Sequence, residues 1–368
     1  MSAFALSPDT RRLQLGRDIP LESGVVLPAL AVAFRTWGQL NAAADNAVVV
    51  CHALTGTADA DAWWGPLFGA GRALDPERDF IVCANVLGGC YGTTGPTSEA
   101  PDGRAYGPRF PRITVRDQVL AQRHLLDALG VRGIRLVIGG SMGGLQALEW
   151  ALLDPRVQAV ASIAASGRHS SWCIAWGEAQ RQSIAADPKF AGGHYDAADP
   201  PRAGLAAARA IAMLTYRTAA SLAARYGRAP GAEAFGARAK RPHEPAVAGW
   251  LSHHGELLNE RFDANTYLRL VQAMDSHDLG RGRGGFEAAC ARLVLPTLVV
   301  SIPDDALYVP ADQQELAAAL PDARLARLKS AHGHDGFLLD AAALEPIVRD
   351  FRQSLEAPRA RRAAGSAP

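Results

Sequence analysis

The side chain in this sequence best placed to act as a nucleophile is a serine between glycines. Ser141 stands in Gly139-Gly-Ser-Met-Gly-Gly144, after the apolar, β-branched segment 134–138 and before the helix-forming segment 145–153. A serine at such a sharp strand-to-helix turn is typical of the nucleophile elbow, in which small residues allow strand and helix to approach closely. Because a helix would begin directly behind the serine, the Met142 N–H could donate to an oxyanion.

The same glycine-rich turn could instead be a βα turn without chemistry, or a loop that binds phosphate. A dinucleotide fingerprint requires G-x-G-x-x-G and a Walker loop requires Gly-Lys-Ser/Thr, and neither is present at this turn. The pattern therefore favours a nucleophile.

A serine nucleophile needs an acid, which in hydrolase-type sheets comes later in the chain on a loop after a late strand. The apolar segment Thr297–Ser301 predicts such a strand, and Asp304 and Asp305 follow it. An aspartate after a strand is more often a loop or cap residue, but its position after a late strand favours catalysis here. The residues alone leave the choice between the two open.

The base is expected last in the order serine, acid, histidine. The segment Arg324–Leu328 predicts a short strand, and both His332 and His334 follow it. A catalytic histidine must deliver one ring nitrogen to the serine and the other to the acid. Flanking glycines at 333 and 336 favour His334 on local chemistry, with His332 as the alternative.

The pattern of apolar segments places these residues in a largely parallel sheet. Continuous apolar runs predict strands buried on both faces, at residues 47–52, 80–85 and 157–163. Thr114 and Asp117 have the spacing of a capping box at the start of a helix that stops at Gly130. The alternation of strands and helices predicts a parallel sheet with helices on both faces.

Other segments delimit this sheet domain. Residues 30–37 predict a strand near the edge of the sheet, whereas residues 1–24 are polar and rich in turn formers and are expected to be peripheral. From 167 to 291 the chain is alanine-rich with a helical pattern, too long for a simple loop, and predicts an inserted helical cap. The predicted core therefore comprises 1–166 and 292–356, followed by a tail, 357–368, expected to be disordered.

Composition excludes several classes of protein. The formal net charge of the 368 residues is +1, which argues against a nucleic-acid-binding surface. The five cysteines form no C-x-x-C pair, so we expect reduced thiols in the cytoplasm and no zinc site or disulfide framework. Neither a signal peptide nor a segment long enough to span a membrane is predicted.

Beyond the elbow, several motifs resemble those of the homoserine O-acetyltransferase family of α/β-hydrolase-fold acyltransferases. The resemblance spans about residues 34–355. The motifs that carry it are His52-Ala-Leu-Thr-Gly56, Asn85–Pro96, Gly139–Gly144, Leu214-Thr-Tyr-Arg217, Arg261–Leu268 and Gly333–Leu338. It implies the α/β-hydrolase fold, with a mostly parallel sheet, helices on both faces and an inserted helical cap.

The resemblance also implies the residues of a catalytic site. It places the nucleophile on Ser141, the acid on Asp305 and the base on His334. The oxyanion-hole N–H groups would be those of Leu54 and Met142.

The substrates implied by the resemblance are acetyl-CoA and L-homoserine, in methionine biosynthesis, with no bound cofactor. Arg209 and Asp335 would contact homoserine, because an amino acid presents a carboxylate and an ammonium group to opposite charges. The reaction would be ping-pong, through an acyl group on Ser141. The family also implies a homodimer formed through cap helices, which the composition of residues 246–278 permits.

Departures from the family pattern leave substrate alternatives open. The chain has Val247-Ala-Gly-Trp-Leu251 where the family usually has Val-Glu-Ser-Tyr-Leu, His332 and Gly336 are unusual neighbours of the base, and the acid loop is one residue longer. Succinyl-CoA could replace acetyl-CoA, and serine could replace homoserine. The loops His52–Gly56 and Gly92–Pro96 are closer to those of acetyl users. Hydrolysis of a thioester or ester by the same triad is the other alternative.

Overall fold

The computed structural model describes residues 4–16, 18–235 and 243–356. Within these residues ten strands lie in two sheets: β1 Arg11–Gln14, β2 Ile19–Pro20, β3 Val26–Leu27, β4 Ala31–Trp37, β5 Ala47–Cys51, β6 Phe80–Ala84, β7 Ile134–Gly140, β8 Val160–Ile163, β9 Thr297–Ser301 and β10 Ala323–Arg327. The predicted disordered tail, 357–368, lies outside the described residues.

The main sheet has eight strands in the order β1-β4-β6-β5-β7-β8-β9-β10. The six strands from β6 to β10 in this order are parallel, and β4 runs antiparallel to both of its neighbours. The predicted mostly parallel sheet is therefore confirmed. Since β6 and β7 follow β5 in the chain but lie on opposite sides of it, the strand order reverses at β5, the position at which open α/β sheets place their ligand sites.

Thirteen α-helices connect and cover the strands in the described residues. They are α1 Ala60–Trp63, α2 Val115–Ala128, α3 Met142–Leu153, α4 Ser171–Ala185, α5 Arg202–Tyr216, α6 Ala219–Tyr226, α7 Gly231–Phe235, α8 Ala246–Arg261, α9 Ala264–Asp275, α10 Phe286–Arg292, α11 Pro310–Ala319, α12 Gly336–Leu339 and α13 Ala341–Glu356. The predicted capping box opens α2: Thr114 Oγ1 accepts from the Asp117 N–H, and the Asp117 carboxylate accepts from the Thr114 N–H.

The central strands are buried on both faces, as their continuous apolar sequences predict. All residues of β5, β8 and β9 are buried. Alternate side chains enter two cores: Val49 and Leu145 of α3 belong to the core on one face, and Val48 and Leu344 of α13 belong to the core on the other. Helices therefore cover both faces of the sheet, and this burial holds its strand ends in fixed positions.

The expectation that residues 1–24 are peripheral is wrong. β1 pairs with β4 as the edge strand of the main sheet, and Ile19 and Leu21 are buried in the core with exposures of 2% and 4%. The sequence of β1 is mostly polar because β1 is an edge strand. None of its four residues is fully buried. A solvent-facing edge removes the apolar pattern by which a strand is recognised.

The chain between β8 and β9 is helical in the part that the structure describes. It contains α4 to α10 and isolated bridges but no strand among its described residues. Within it α5 packs against both α4 and α8. The division into a core and a cap at residues 167 and 291 stays a prediction.

Candidate active site

Ser141 lies at the turn between β7 and α3 in a conformation that few residues adopt. Its φ is 57° and its ψ is −127°, and its N–H donates to the Ile163 carbonyl at 2.9 Å, across to β8. A Cβ on Gly143 would lie 2.0 Å from the Cys51 carbonyl oxygen, and one on Gly139 would lie 2.4 Å from Gly143. The two glycines are therefore required for the close approach that forms the elbow.

His334 connects the serine to the acid. Its Nε2 lies 2.9 Å from Ser141 Oγ, and its Nδ1 lies 2.7 Å from Asp305 Oδ2. In the tautomer that fits both contacts, Nδ1–H donates to the carboxylate and Nε2 accepts from the hydroxyl. The structure thus brings together the three residues that the sequence proposes as nucleophile, base and acid.

Asp305 is oriented by backbone donors on its own loop. Its Oδ1 accepts from the N–H groups of Leu307 and Tyr308 at 2.8 and 2.9 Å, which leaves Oδ2 for His334. Asp304, the alternative acid, is exposed, whereas Asp305 is 3% exposed. The residues alone could not distinguish the two, but the geometry favours Asp305.

The alternative base has a different set of contacts. His332 Nδ1 lies 3.4 Å from Arg217 Nη1, and its backbone N–H donates to Ser330 Oγ. Its ring therefore faces the arginine, and the hydrogen bonds to Ser141 and Asp305 belong to His334.

Aromatic rings enclose the His334 imidazole. Tyr216 and Tyr308 lie at centroid distances of 5.5 and 5.6 Å with small interplanar angles, and the Phe337 ring contacts it edge-on at 5.6 Å. Burial by itself lowers the pKa of His334, but the charge and hydrogen bond of Asp305 outweigh it and raise the pKa above its ordinary value. An imidazolium formed during reaction is therefore stabilised.

The two proposed oxyanion donors lie on adjacent strand ends. β5 and β7 pair in register at Cys51 and Gly139, so Leu54, three residues after Cys51, and Met142, three after Gly139, emerge at the same edge of the sheet. Neither backbone N–H has a hydrogen-bond acceptor in the part of the chain that the structure describes. Both groups are free to donate to an oxygen on the acyl carbon.

His52 holds the start of the loop that carries Leu54. Its Nδ1 lies 2.8 Å from the Ala53 carbonyl oxygen, and its Nε2 accepts from the Val86 N–H at 3.2 Å. Burial lowers the pKa of His52 to about 4. The neutral ring is therefore a structural part of the loop.

Arg209 and Asp335, the proposed homoserine contacts, lie beside the triad. The Arg209 guanidinium stands over the Tyr216 ring at 5.4 Å, and its buried Nε has no hydrogen-bond partner among the described residues. Asp335 forms an ion pair with Arg217 at 3.1 Å. Burial raises the pKa of Asp335, and the opposing charges of Arg217, His334 and Arg209 only partly offset this. The site thus holds an unsatisfied donor and a carboxylate close to His334.

Sequence comparison shows where this arrangement belongs. A family model described as alpha/beta hydrolase fold matches residues 46–341. A homoserine O-acetyltransferase of Nostoc punctiforme is 53% identical over 352 residues, which cover 94% of this chain and 96% of that protein. The chain belongs to the homoserine O-acetyltransferase family. A family member from Chlorobaculum tepidum is 49% identical over 352 residues, covering 95% of this chain and 96% of its own.

Similar solved structures include members of this family and also an esterase. A homoserine O-acetyltransferase of Staphylococcus aureus has a TM-score of 0.74 and 30% identity, covering 93% of this chain and 94% of its own. Esterase E22 has a TM-score of 0.84 and 26% identity, covering 93% and 99%. This member of the homoserine O-acetyltransferase family thus shares its fold with an esterase. The predicted α/β-hydrolase fold is confirmed.

Residue-level reasoning missed several residues of the site. Tyr216 and Arg217 contact His334 and Asp335, and Arg261 contacts the loop that carries Leu54. All three residues belong to motifs that carried the family resemblance. Those motifs could have indicated that the residues lie at the site, but the resemblance assigned no role to any of the three.

Two further properties follow from the described residues. No group of three or more His, Cys, Asp or Glu side chains within them could hold a metal ion. Among the helices of residues 4–16, 18–235 and 243–356, none combines the length and apolar character that crossing a bilayer requires.

Proposed function

We propose that this protein transfers the acetyl group of acetyl-CoA to the hydroxyl of L-homoserine through an acetyl-Ser141 intermediate. The observation that carries this proposal is the buried chain of hydrogen bonds from Ser141 through His334 to Asp305, in a chain 53% identical to a protein named homoserine O-acetyltransferase. The step that this protein would supply in methionine biosynthesis is the activation of the homoserine hydroxyl by acetylation.

In the first half-reaction Ser141 Oγ attacks the thioester carbonyl carbon while His334 Nε2 accepts the hydroxyl proton. The negative charge that develops on the carbonyl oxygen is stabilised by the N–H groups of Leu54 and Met142. As the tetrahedral intermediate collapses, the C–S bond breaks and the proton passes from His334 to the CoA thiolate. Asp305 stabilises the transient imidazolium and holds its orientation.

In the second half-reaction the homoserine hydroxyl gives its proton to His334 and attacks the acetyl carbon. As the new tetrahedral intermediate collapses, the bond between the acetyl carbon and Ser141 Oγ breaks, His334 Nε2 returns the proton to Oγ, and O-acetylhomoserine is released. Arg209 would bind the carboxylate of homoserine, for which its unpaired Nε is suited, and Asp335 would bind the ammonium group. We propose residues 167–291 as the cap that limits entry of water while the acyl-enzyme waits.

Ping-pong kinetics test the intermediate directly. Initial rates measured against acetyl-CoA at several fixed homoserine concentrations are expected to give parallel lines in double-reciprocal plots. Acetyl-CoA alone should release about one equivalent of CoA per site in a burst, and intact mass spectrometry should locate one acetyl group on Ser141. Intersecting lines without a burst would mean direct transfer in a ternary complex.

The second candidate function is hydrolysis of a thioester or ester by the same three residues. The structural similarity to esterase E22 is the observation that favours it. In a hydrolase, water replaces homoserine as the acceptor, so CoA release after the burst would not depend on homoserine. In the proposed transferase, homoserine should accelerate that release strongly. Succinyl-CoA and serine, tested as donor and acceptor in the same assay, should react more slowly than acetyl-CoA and homoserine.

We also propose that the protein is cytoplasmic and works as a homodimer through its cap helices. Large apolar side chains on three of these helices are exposed: Trp172 on α4 by 49%, Leu214 on α5 by 47% and Leu257 on α8 by 40%. A contiguous apolar surface marks a protein interface, and these three side chains are the residues that we propose contribute to it. Sedimentation velocity should show a dimer that Leu257→Glu weakens, whereas a monomer at micromolar concentration would contradict the proposal.

A further inference from the structure

One cap helix reaches the loop of the proposed oxyanion hole through a single arginine. Arg261, the last residue of α8, donates from Nη1 to the Thr55 carbonyl oxygen at 2.7 Å, and its Nη2 lies 3.4 Å from Thr55 Oγ1. Thr55 directly follows Leu54. The guanidinium thus holds the loop just after Leu54, although Arg261 and Thr55 are 206 positions apart in the chain.

Tyr91 fixes the arginine in turn. Its hydroxyl donates to the Arg261 carbonyl oxygen at 2.7 Å and accepts from Arg261 Nη1 at 2.9 Å. Burial raises the pKa of Tyr91 to about 12, so the phenol keeps its proton and remains a donor. With its carbonyl and its guanidinium both bonded, Arg261 has little freedom to leave Thr55.

The loop is also anchored on both sides of Leu54 and Thr55. After them, the Thr57 carbonyl oxygen accepts from Trp63 Nε1 at 3.0 Å and the Ala58 N–H donates to Asn85 Oδ1 at 2.7 Å. The Gly56 N–H closes a turn by donating to the Ala53 carbonyl oxygen at 2.9 Å, while His52 anchors the residues before the turn. The peptide planes at Leu54 and Thr55 lie between these anchors, and rotation of these planes would redirect the Leu54 N–H. A charged donor on the Thr55 carbonyl opposes that rotation.

We propose that Arg261 is a positioning residue, which holds the Leu54 N–H in the direction required for oxyanion stabilisation and so makes the oxyanion hole depend on a docked cap helix. The inference rests on the proposed function only in that it takes Leu54 as an oxyanion donor. Removing one such donor typically costs about 10²- to 10³-fold in kcat, and a misplaced donor should cost somewhat less.

The test uses p-nitrophenyl acetate, which can acylate Ser141 without either CoA or homoserine. In Arg261→Ala the rate of the p-nitrophenolate burst should fall about 10- to 100-fold, with KM changed by less than about threefold because ground-state binding does not need the hole. Guanidinium ion at millimolar concentration should restore part of the rate. A merely structural role would not produce this separation of kcat from KM.

Arg269→Ala is the matched control. Arg269, on α9, also ties a helix between β8 and β9 to a core carbonyl, donating to Pro108 O at 2.7 Å. It has no contact with the loop of Leu54 among those described, so its removal should change the burst rate by less than about threefold, within ordinary experimental spread. Equal losses in the two variants, or no loss in Arg261→Ala, would overturn the proposal.

A second variant covers the case in which Arg261→Ala does not fold. Arg261→Lys keeps the charge but cannot reach Tyr91 and Thr55 with a planar fork, and an intermediate burst rate at unchanged KM is expected. A burst rate equal to that of the parent would overturn the proposal. This test can be separated from failure of the proposed transfer reaction. If the parent enzyme gives a burst with p-nitrophenyl acetate but does not acetylate homoserine, the proposed transfer is wrong, and the role of Arg261 in acylation can still be measured.

Discussion

The proposed nucleophile, base and acid stand on backbone turns that follow β7, β10 and β9, whereas the arginines of the proposed site reach it from the helical segment between β8 and β9. Ser141 and Asp305 are held by hydrogen bonds with main-chain groups. The Ser141 N–H is bonded to Ile163, and the Asp305 carboxylate accepts two N–H groups from its own loop. Arg209 is instead held by the stacking of a long side chain on Tyr216.

This difference assigns different tasks to the two regions. Backbone turns on a buried sheet place reacting atoms with little freedom, as acyl transfer to serine requires. Long side chains on helices can be substituted or can change conformation without disturbing the sheet. Such side chains are therefore suited to determine which acyl acceptor is bound. We therefore expect substitutions of the triad residues in the turns to abolish acylation. Substitutions of the helix arginines should lower rates only in part, Arg261 in acylation and Arg209 in transfer to homoserine.

The largest effect is expected from the triad. Ser141→Ala, His334→Ala and Asp305→Asn should each lower kcat for acetyl transfer by about 10⁴-fold or more, because the three residues act as a unit. Rates of CoA release, measured with thermal unfolding of each variant, check this. Ser141→Ala should also lose the burst entirely.

The controls for the triad are its two neighbours in sequence. His332→Ala and Asp304→Ala should retain activity within about tenfold, because neither takes part in the hydrogen bonds between Ser141, His334 and Asp305. A folded His332→Ala protein as inactive as Ser141→Ala would contradict the assignment of His334 as the base.

Much of the fold was predictable because its strands are buried on both faces. A run such as Ala-Val-Val-Val-Cys, residues 47–51, is typical of a strand buried on both faces, and each of its residues is buried. The edge strand β1 was not predictable, since its sequence, Arg-Arg-Leu-Gln, carries no apolar pattern. Its strand conformation is determined by pairing with β4, which is distant in the sequence.

The site was predictable where local geometry determines it. Gly139 and Gly143 are required because a Cβ at either position would lie 2.0 to 2.4 Å from backbone atoms, so the spacing of these glycines carries the information. Asp304 and Asp305 could not be separated by local chemistry, because the difference lies in which carboxylate meets the N–H groups of its loop. The contact of Arg261 with Thr55 has no local signal, since it joins residues from distant parts of the chain.

An intermediate effect is expected from Arg209. Arg209→Ala should lower kcat/KM for homoserine by about 10- to 100-fold, the range for loss of a hydrogen bond to a charged group. The burst with acetyl-CoA should be nearly unchanged, because the carboxylate of homoserine is absent from that half-reaction. Stopped-flow measurement of the burst, beside steady-state rates at varied homoserine, separates the two.

Arg225→Ala serves as the control for Arg209. Arg225, on α6, also stands over a tyrosine ring, that of Tyr226, at 5.3 Å, and it should leave both half-reactions within about twofold, as surface substitutions usually do. Equal homoserine kinetics in Arg209→Ala and the parent would show that Arg209 only packs on Tyr216.

The smallest effect is a shift in pH dependence, and it tests the electrostatic link within the turns. His334 must be neutral to accept the serine proton, and the charge of Asp305 raises its pKa against the opposing effect of burial. A raised pKa keeps the imidazole protonated to higher pH, so the acylation rate should be lost, as pH falls, at a midpoint above the ordinary histidine value of 6.5. His52, with a pKa of about 4, cannot produce that midpoint.

Variants of the two neighbouring carboxylates should move this midpoint in the same direction by different amounts. Asp305→Asn removes the main cause that raises the pKa and leaves burial unopposed, so the residual acylation should persist to lower pH. Asp335→Asn removes a weaker contribution of the same sign and should shift the midpoint less. Burst rates with p-nitrophenyl acetate between about pH 5 and pH 9 span the ordinary histidine range and measure both. A parent midpoint at or below 6.5, or an upward shift in Asp305→Asn, would show that Asp305 does not stabilise the imidazolium and that its role in the turn is only to orient the ring.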